Sequence, residues 1–293
     1  MMTCKYCRKI QMFEYQKKIE HWMTVSSYLL GEYYDLASSI FSTCSEKLPR
    51  LVHFVLAQLF LQCHLTSESI IFLLGERKEW DASILLRSVM EGTAKYLYIL
   101  QGNKNETLDK AYEFWCVLPE IADIKHSDRV KDLYTKLAIP QKSPLADLVL
   151  DEQEHKNLLN KYSRADRKKI EQRWAFSEIL KSFENTDLES FKALFFEYGM
   201  CSHLAHMDAV GIGMIRERFA ASPSNRDIIQ LAHTAKIIYA ICFLGKIRTQ
   251  ILLTKLNQSL EPLLQLEQKY SELYKELLEA EKIFCETEYP EAQ

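Results

Sequence analysis

The chain has 293 residues, of which 47% are hydrophobic and 26% are charged, and its formal net charge is −3. These values are typical of a soluble globular protein, and they exclude a strong overall attraction to nucleic acid or to a membrane surface. Only 8 glycines and 7 prolines occur, far below the average usage of roughly 7% and 5%. Because few residues break helices, the composition predicts long helices.

The first three predicted helices are long and lie between clear turn signals. The first covers residues 7–46 and stops before Pro49. The second covers residues 50–76 and is apolar on nearly every side, which predicts a central position in the fold. The third begins at Asp81, an acid suited to a helix N-cap or first turn, and continues to the turn at residues 101–106.

The rest of the chain also has helical periodicity. Several shorter helices are predicted around the prolines at 119, 140 and 144. A basic helix begins at Ser163, the next helix is expected to end in the Gly-Ile-Gly stretch at 211–213, and a last core helix covers residues 226–256. Since no long segment alternates with the period of a strand, the sequence predicts an all-α multi-helix bundle.

The C-terminal tail after Pro262 repeats apolar residues every seven positions. Its two seams consist of Leu263, Tyr270, Leu277 and Phe284, and of Leu266, Leu273 and Ala280. Three heptads are enough to suggest a coiled coil, although a helix packed on its own domain has the same pattern. The chain therefore divides into an N-terminal helical segment (1–48), a helical-bundle core (49–256) and a C-terminal heptad helix (257–293).

Cysteine usage and hydropathy predict a cytoplasmic protein. The eight cysteines lack a compact disulfide spacing, and the N-terminal residues are too polar for a signal peptide. The longest apolar segment, at 237–245, is far shorter than the ~20 residues that span a bilayer. Cys4 and Cys7 have the spacing of zinc ligands, but no second pair accompanies them, so we expect neither a metal site nor a cofactor.

Two polar patterns stand out on the predicted helices. Tyr198, Ser202 and His206 are spaced four apart and share one helix face. They form either a catalytic group or a buried histidine satisfied by its neighbouring hydroxyls. Arg87 and Glu91 are also four apart, in an otherwise apolar helix. They form either an ion pair that joins two helices or an arginine aimed at a phosphate or carboxylate.

These five residues resemble the motifs of an uncharacterised family of bacterial all-helical proteins, with Arg-x3-Glu on one helix and Tyr-x3-Ser-x3-His on a later one. The resemblance covers about residues 50–245. The family is similar to the HEPN superfamily, which includes many toxin and phage-defence ribonucleases. The resemblance therefore implies a HEPN-like core, a metal-independent ribonuclease of bacterial defence or toxin–antitoxin biology, and dimers with active sites often completed across the interface.

The sequence departs from this pattern at one important point. HEPN ribonucleases carry Arg-x4–6-His on a single helix, and neither Arg87 nor His206 lies in such a motif. The segment from Arg226 to His233 is a formal match, but a chain of this composition contains about one such match by chance.

We expect Arg87, Glu91, Ser202 and His206 to converge in one polar site. His206 would be a general base or acid on a ribose hydroxyl, and Arg87 would stabilise the phosphate charge. Glu91 would orient Arg87, while Tyr198 or Ser202 would fix the imidazole tautomer. The sequence equally permits a non-catalytic interaction or sensor module in which these residues form a buried polar network, and a small-molecule or nucleotide binder is a third hypothesis.

The expected partners follow from these readings. RNA is the substrate of the first hypothesis, a partner protein fits the second, and no membrane is involved. The heptads and the resemblance together predict a homodimer. The alternative for the heptads is packing on the chain's own first helix, along the stripe Tyr28, Leu29, Tyr33, Leu36 and Ile40.

Overall fold

The computed structural model describes residues 5–43, 45–137, 144–184 and 186–288, and this part of the chain contains helices and no strand. The predicted all-α multi-helix fold is confirmed. The helices are α1 (Lys5–Thr43), α2 (Arg50–Gly75), α3 (Glu79–Leu100), α4 (Lys104–Tyr112), α5 (Leu118–Leu137), α6 (Glu152–Lys161), α7 (Arg164–Arg173), α8 (Phe176–Lys181), α9 (Leu194–His206), α10 (Ala209–Ala220), α11 (Pro223–Lys255), α12 (Glu261–Lys269) and α13 (Ser271–Glu288). Short 3₁₀ turns cover Ser45–Lys47, Pro144–Leu148 and Glu189–Ala193.

The core is built on α3, which packs against α2 and α11, while α1 covers α2 and α11. Leu86, Val89 and Met90 of α3 are buried completely because they share its inner face. Each such side chain contributes about 1.5–3 kcal/mol through its removal from water. Buried residues of all three predicted segments belong to this one hydrophobic cluster, and the three-part division of the chain stays a prediction.

A buried arginine joins the three central helices. Arg248 of α11 is 1% exposed, and its Nη1 donates to Thr93 Oγ1 of α3 at 2.5 Å. Its guanidinium carbon lies 5.3 Å from the ring centre of Phe60 on α2. No acidic side chain among the described residues forms an ion pair with it, and burial lowers its pKa. The cation is therefore held by a hydroxyl and an aromatic face, a costly arrangement that fixes how these helices meet.

Two predicted helix ends are wrong. Pro119 does not break a helix, because the π-helical turn Glu113–Val117 directly precedes it and joins α4 to α5. The helix predicted to end at 211–213 ends instead at His206, and the next residue, Met207, has a left-handed φ of 50°. The glycines lie inside α10, where a Cβ on Gly211 would come 2.5 Å from the His203 carbonyl oxygen. Glycine is thus required by close packing of α10 on α9, not by a helix end.

The predicted single heptad helix is also wrong, because Tyr270 separates α12 from α13. The seam residues face the chain's own α1 and α11, so they are not free to pair with a second copy. Leu263, Leu273, Leu277 and Ala280 are all at most 3% exposed. Trp22 Nε1 of α1 also donates to Glu276 at 2.6 Å. The tail packs mainly on α11 and makes smaller contacts with α1, and Tyr28 of the predicted stripe is 67% exposed, so the alternative of packing on the first helix holds only in part.

Two helices, α2 and α11, are long and apolar enough to cross a membrane by length and composition alone. In α11, 61% of the most apolar window is buried inside the fold, and in α2 39% is buried. Core helices of large proteins pass the same test, which makes it weak support for a span.

Docking of the tail gives a prediction on two adjacent leucines. Leu277 is 2% exposed and Leu278 is 52% exposed. We expect Leu277→Ala to lower the free energy of unfolding by about 2–5 kcal/mol, because it leaves a cavity under α13. The matched variant Leu278→Ala should change it by less than about 0.5 kcal/mol. Urea unfolding followed by circular dichroism measures both, and equal effects would contradict the docked tail.

Candidate functional site

The candidate site begins with an ion pair on α3. Arg87 Nε donates to Glu91 Oε1 at 3.1 Å, as the i, i+4 spacing allows. The two side chains are 23% and 31% exposed, so the pair lies at the edge of the core. Helix α3 alone is therefore sufficient to orient the Arg87 side chain toward Glu91.

Helix α9 supplies a second contact to the same carboxylate. The Tyr198 hydroxyl donates to Glu91 Oε1 at 2.8 Å, so this oxygen accepts from residues on both helices. The Tyr198 ring centre also lies 5.1 Å from the Arg87 guanidinium carbon, within cation–π range. Phe176 of α8 stacks on the Tyr198 ring with centroids 3.9 Å apart. The tyrosine is thus fixed by a hydrogen bond at its tip and by stacking along its ring.

His206, the last residue of α9, completes the chain of contacts. Arg87 Nη1 lies 3.3 Å from His206 Nε2. A guanidinium only donates, so Nε2 must accept through its lone pair, which assigns the imidazole proton to Nδ1. The imidazole is exposed. The arrangement therefore presents a basic nitrogen beside an oriented cation, open to solvent.

The structure joins four of the five predicted site residues and leaves one out. Ser202 is half-buried on α9, one turn before His206, and no described residue hydrogen-bonds its hydroxyl. The imidazole is contacted by Arg87 instead of by the predicted hydroxyl. The catalytic role of the group as a whole stays a prediction.

Sequence reasoning missed the junction that follows His206. Asp208 Oδ1 accepts from the backbone N–H of Val210 and Gly211 at 3.0 and 3.1 Å, which caps α10. Its Oδ2 lies 2.6 Å from His203 Nδ1 on α9. The only sequence signal for this cap was an aspartate before the helical stretch. The junction fixes the end of α9 and with it the position of His206.

Comparison with known proteins places these features in a family. The model of a family described as "Family of unknown function (DUF5677)" matches residues 53–219, more than half of the chain. The chain belongs to this family. No curated protein and no solved structure matches it.

The match to DUF5677 extends from α2 into α10 and contains all five predicted site residues. All of α1, all of α11 and both tail helices lie outside it. Both helices that build the Arg87–His206 contact, α3 and α9, are thus parts of the matched DUF5677 region.

The charges within the site are set by its contacts. Burial and the hydrogen bond to Glu91 raise the pKa of Tyr198, so its phenol stays neutral and donates. Burial alone would lower the pKa of Arg87, but its interactions with Tyr198 and Glu91 outweigh burial and raise it. Arg87 is therefore a permanent cation and Tyr198 a neutral donor.

The segment from Arg226 to His233 does not form a site of its own. His233 lies 3.0 Å from the Ser83 hydroxyl, while Arg226 lines a different, polar cleft of about 560 Å³ beside Arg218. No hydrogen bond or ion pair within the described part of the chain joins Arg226 to His233. This separation of Arg226 from His233 agrees with a motif match that arises by chance.

The described residues contain no group of three or more His, Cys, Asp or Glu side chains that could hold a metal ion. Cys4 and the Cys7 side chain lie outside the described part of the structure, so their zinc-ligand spacing stays untested.

The Asp208 carboxylate, at the junction of α9 and α10, predicts that the stability of the fold depends on pH in the acid range. Its hydrogen bonds with His203 and with the Gly211 N–H lower its pKa below the ordinary 3.8. The stabilisation is therefore complete above pH 3.8 and is lost as the pH falls through the lower, folded-state pKa.

We expect the free energy of unfolding of the wild type to fall more steeply below pH 4 than that of Asp208→Asn. Asparagine also caps helices but does not titrate, which makes it a matched control. Urea unfolding between pH 2.5 and 6 gives both curves. Parallel curves would show that the Asp208 carboxylate contributes nothing to the junction.

Proposed function

We propose that the chain is a HEPN-like ribonuclease that cleaves RNA strands at the Arg87–His206 pair. The observation that carries the proposal is the 3.3 Å contact between Arg87 Nη1 and the exposed His206, which come from different helices. A base and a phosphate-binding cation side by side are the two groups that transesterification of RNA requires. An open surface also suits a polymer better than a small molecule, whose sites are concave.

In the proposed reaction, a phosphate oxygen of the bound RNA replaces His206 Nε2 as the acceptor of the Arg87 Nη1 proton. The freed lone pair of Nε2 then takes the proton from a ribose 2′-hydroxyl. The 2′-oxygen attacks the adjacent phosphorus, and the bond from phosphorus to the 5′-oxygen breaks. The leaving oxygen takes a proton from water, and the imidazolium returns its own proton to the resulting hydroxide. The products are a 2′,3′-cyclic phosphate and a 5′-hydroxyl end, so atoms and charge balance.

Arg87 stabilises the negative charge that develops on the phosphate. Glu91 occupies its Nε and His206 contacts its Nη1, so further N–H groups of the guanidinium's five are available for phosphate oxygens. Because this cation is already oriented, little reorganisation energy is needed when negative charge develops on the phosphate. Glu91 and Tyr198 are positioning residues in this scheme, since they act through Arg87.

The central test is loss of cleavage by His206→Ala. General acid–base groups contribute roughly 10²–10⁴-fold to a rate, so we expect cleavage of a fluorescent single-stranded RNA in EDTA buffer to fall by at least ~100-fold. The exposed His126→Ala on α5 is the matched control and should cleave like the wild type. Equal rates for the two variants would rule out the catalytic role of His206.

A second candidate function is a non-catalytic interaction module, and a set of exposed apolar side chains favours it. Helices α9 and α10 and their junction expose Phe196, Met207, Val210, Ile212 and Phe219. Ile212 and Phe219 are seven residues apart and share one face of α10. Exposed apolar faces of this kind are characteristic of protein–protein contact surfaces. We propose a second copy of the chain as the partner, because twofold dimers are the commonest oligomers. A wild type that cleaves no RNA but dimerises supports this candidate over the ribonuclease.

The proposed dimer is tested with two aspartate variants. Ile212 on α10 is 57% exposed and Leu264 on α12 is 54% exposed. We expect Ile212→Asp to give a one-chain mass by light scattering at micromolar concentration, because it would bury an unpaired charge. Leu264→Asp should leave the dimer intact. A wild-type mass of one chain, or dissociation by Leu264→Asp alone, would overturn this interface.

A further inference from the structure

A second cavity lies on another face of α9. It has a volume of about 270 Å³ and is bounded by parts of α3, α9, α10, α11 and α13. Its apolar walls include Trp80, Met200, Leu204, Met214, Ile229 and Phe284. Neither Arg87 nor His206 lines it, so it is distinct from the candidate ribonuclease site.

The contact of Ser83 with its own helix assigns a direction to the hydrogen bonds at this cavity. Ser83 Oγ lies 2.9 Å from the Glu79 carbonyl oxygen and 3.0 Å from His233 Nε2. A hydroxyl has one proton, and the carbonyl can only accept, so Ser83 donates to Glu79. Ser83 Oγ must then accept from His233, which places the imidazole proton on Nε2. The other ring nitrogen, Nδ1, is left as an acceptor.

No donor among the described residues satisfies His233 Nδ1. The ring packs against Trp80 with centroids 4.9 Å apart and an angle of 62°. His233 is half-buried and lines the cavity. Burial, together with the charges of Arg218 and Lys236, lowers the pKa of His233 to about 3. The nitrogen is therefore a permanent acceptor in apolar surroundings.

We propose that this cavity binds a planar nitrogen heterocycle, of the size of a bicyclic ring, whose ring N–H donates to His233 Nδ1. An apolar pocket with one or two directed polar groups is the usual form of a small-molecule site. The volume is just below the roughly 300–1,000 Å³ range typical of ligand pockets, which limits the ligand to a small ring system. Trp80 and the two methionines offer the aromatic and sulfur contacts that flat rings prefer.

Three charged side chains also line the cavity. Glu197, which is 8% exposed, forms an ion pair with Lys236, and Glu281 is exposed. The cavity thus has apolar walls, the neutral acceptor His233 Nδ1 and a carboxylate that is already paired with a lysine. A ring with a single N–H at its inner end matches this distribution. Because the readout is binding, the inference stands whether or not the chain cleaves RNA.

The test compares indole with benzofuran on the full chain by isothermal titration calorimetry. The two molecules have nearly the same shape, but benzofuran has oxygen in place of the N–H group. A hydrogen bond contributes about 0.5–1.5 kcal/mol net, so we expect indole to bind up to about tenfold more tightly. Equal affinities for the two, or no indole binding at millimolar concentration, overturn the proposal.

Two variants locate the bond. His233→Phe keeps a ring against Trp80 but removes the acceptor, so the preference for indole over benzofuran should disappear. Should that variant fail to fold by circular dichroism, Met200→Trp fills the cavity from a half-buried position and should abolish binding of both molecules. An unchanged preference in folded His233→Phe, or unchanged binding in Met200→Trp, contradicts the assignment.

Discussion

The packing of α3 is the constraint on which the rest of the structure depends. Its inner face is buried against α2 and α11, where Thr93 accepts a hydrogen bond from the buried Arg248. An arginine without an acidic partner tolerates little displacement, because any shift leaves its charge less satisfied. The rotation of α3 about its axis is thereby fixed. Arg87 and Glu91 are consequently held at the edge of the core, where α9 passes.

Helix α9 packs at this edge of α3 and borders two different environments. On one side, Tyr198 and His206 meet the ion pair of α3 and form an open polar surface. On another side, Met200 and Leu204 line the apolar cavity that His233 also lines. The left-handed turn at Met207 then ends the helix, so His206 is its last residue, and it is exposed. One short helix thus contributes to a surface suited to a charged polymer and to a pocket suited to a small ring.

The sequence predicted the helical class and the pairing of Arg87 with Glu91, since both depend on local spacing. The expectation that Arg87 and His206 lie in one site supposed that α3 and α9 dock, which residue spacing alone does not specify because that contact depends on tertiary packing. The helix end at Met207 had no signal, since methionine rarely adopts a left-handed conformation. The heptads of the tail predicted an apolar seam and were counted in favour of a homodimer, although a heptad pattern is the same for docking on α1 and α11 as for pairing with a second chain.

The most direct test of the account is a double-mutant cycle between α3 and α9, with Glu91→Gln and Tyr198→Phe. The central claim is that the 2.8 Å hydrogen bond between these residues docks the helices and so places Arg87 beside His206. Residues in contact show coupling energies of about 0.5–3 kcal/mol. We predict a value in this range from the free energies of unfolding of the wild type and the three variants. Effects that add within about 0.3 kcal/mol would contradict the docking of α9 on α3.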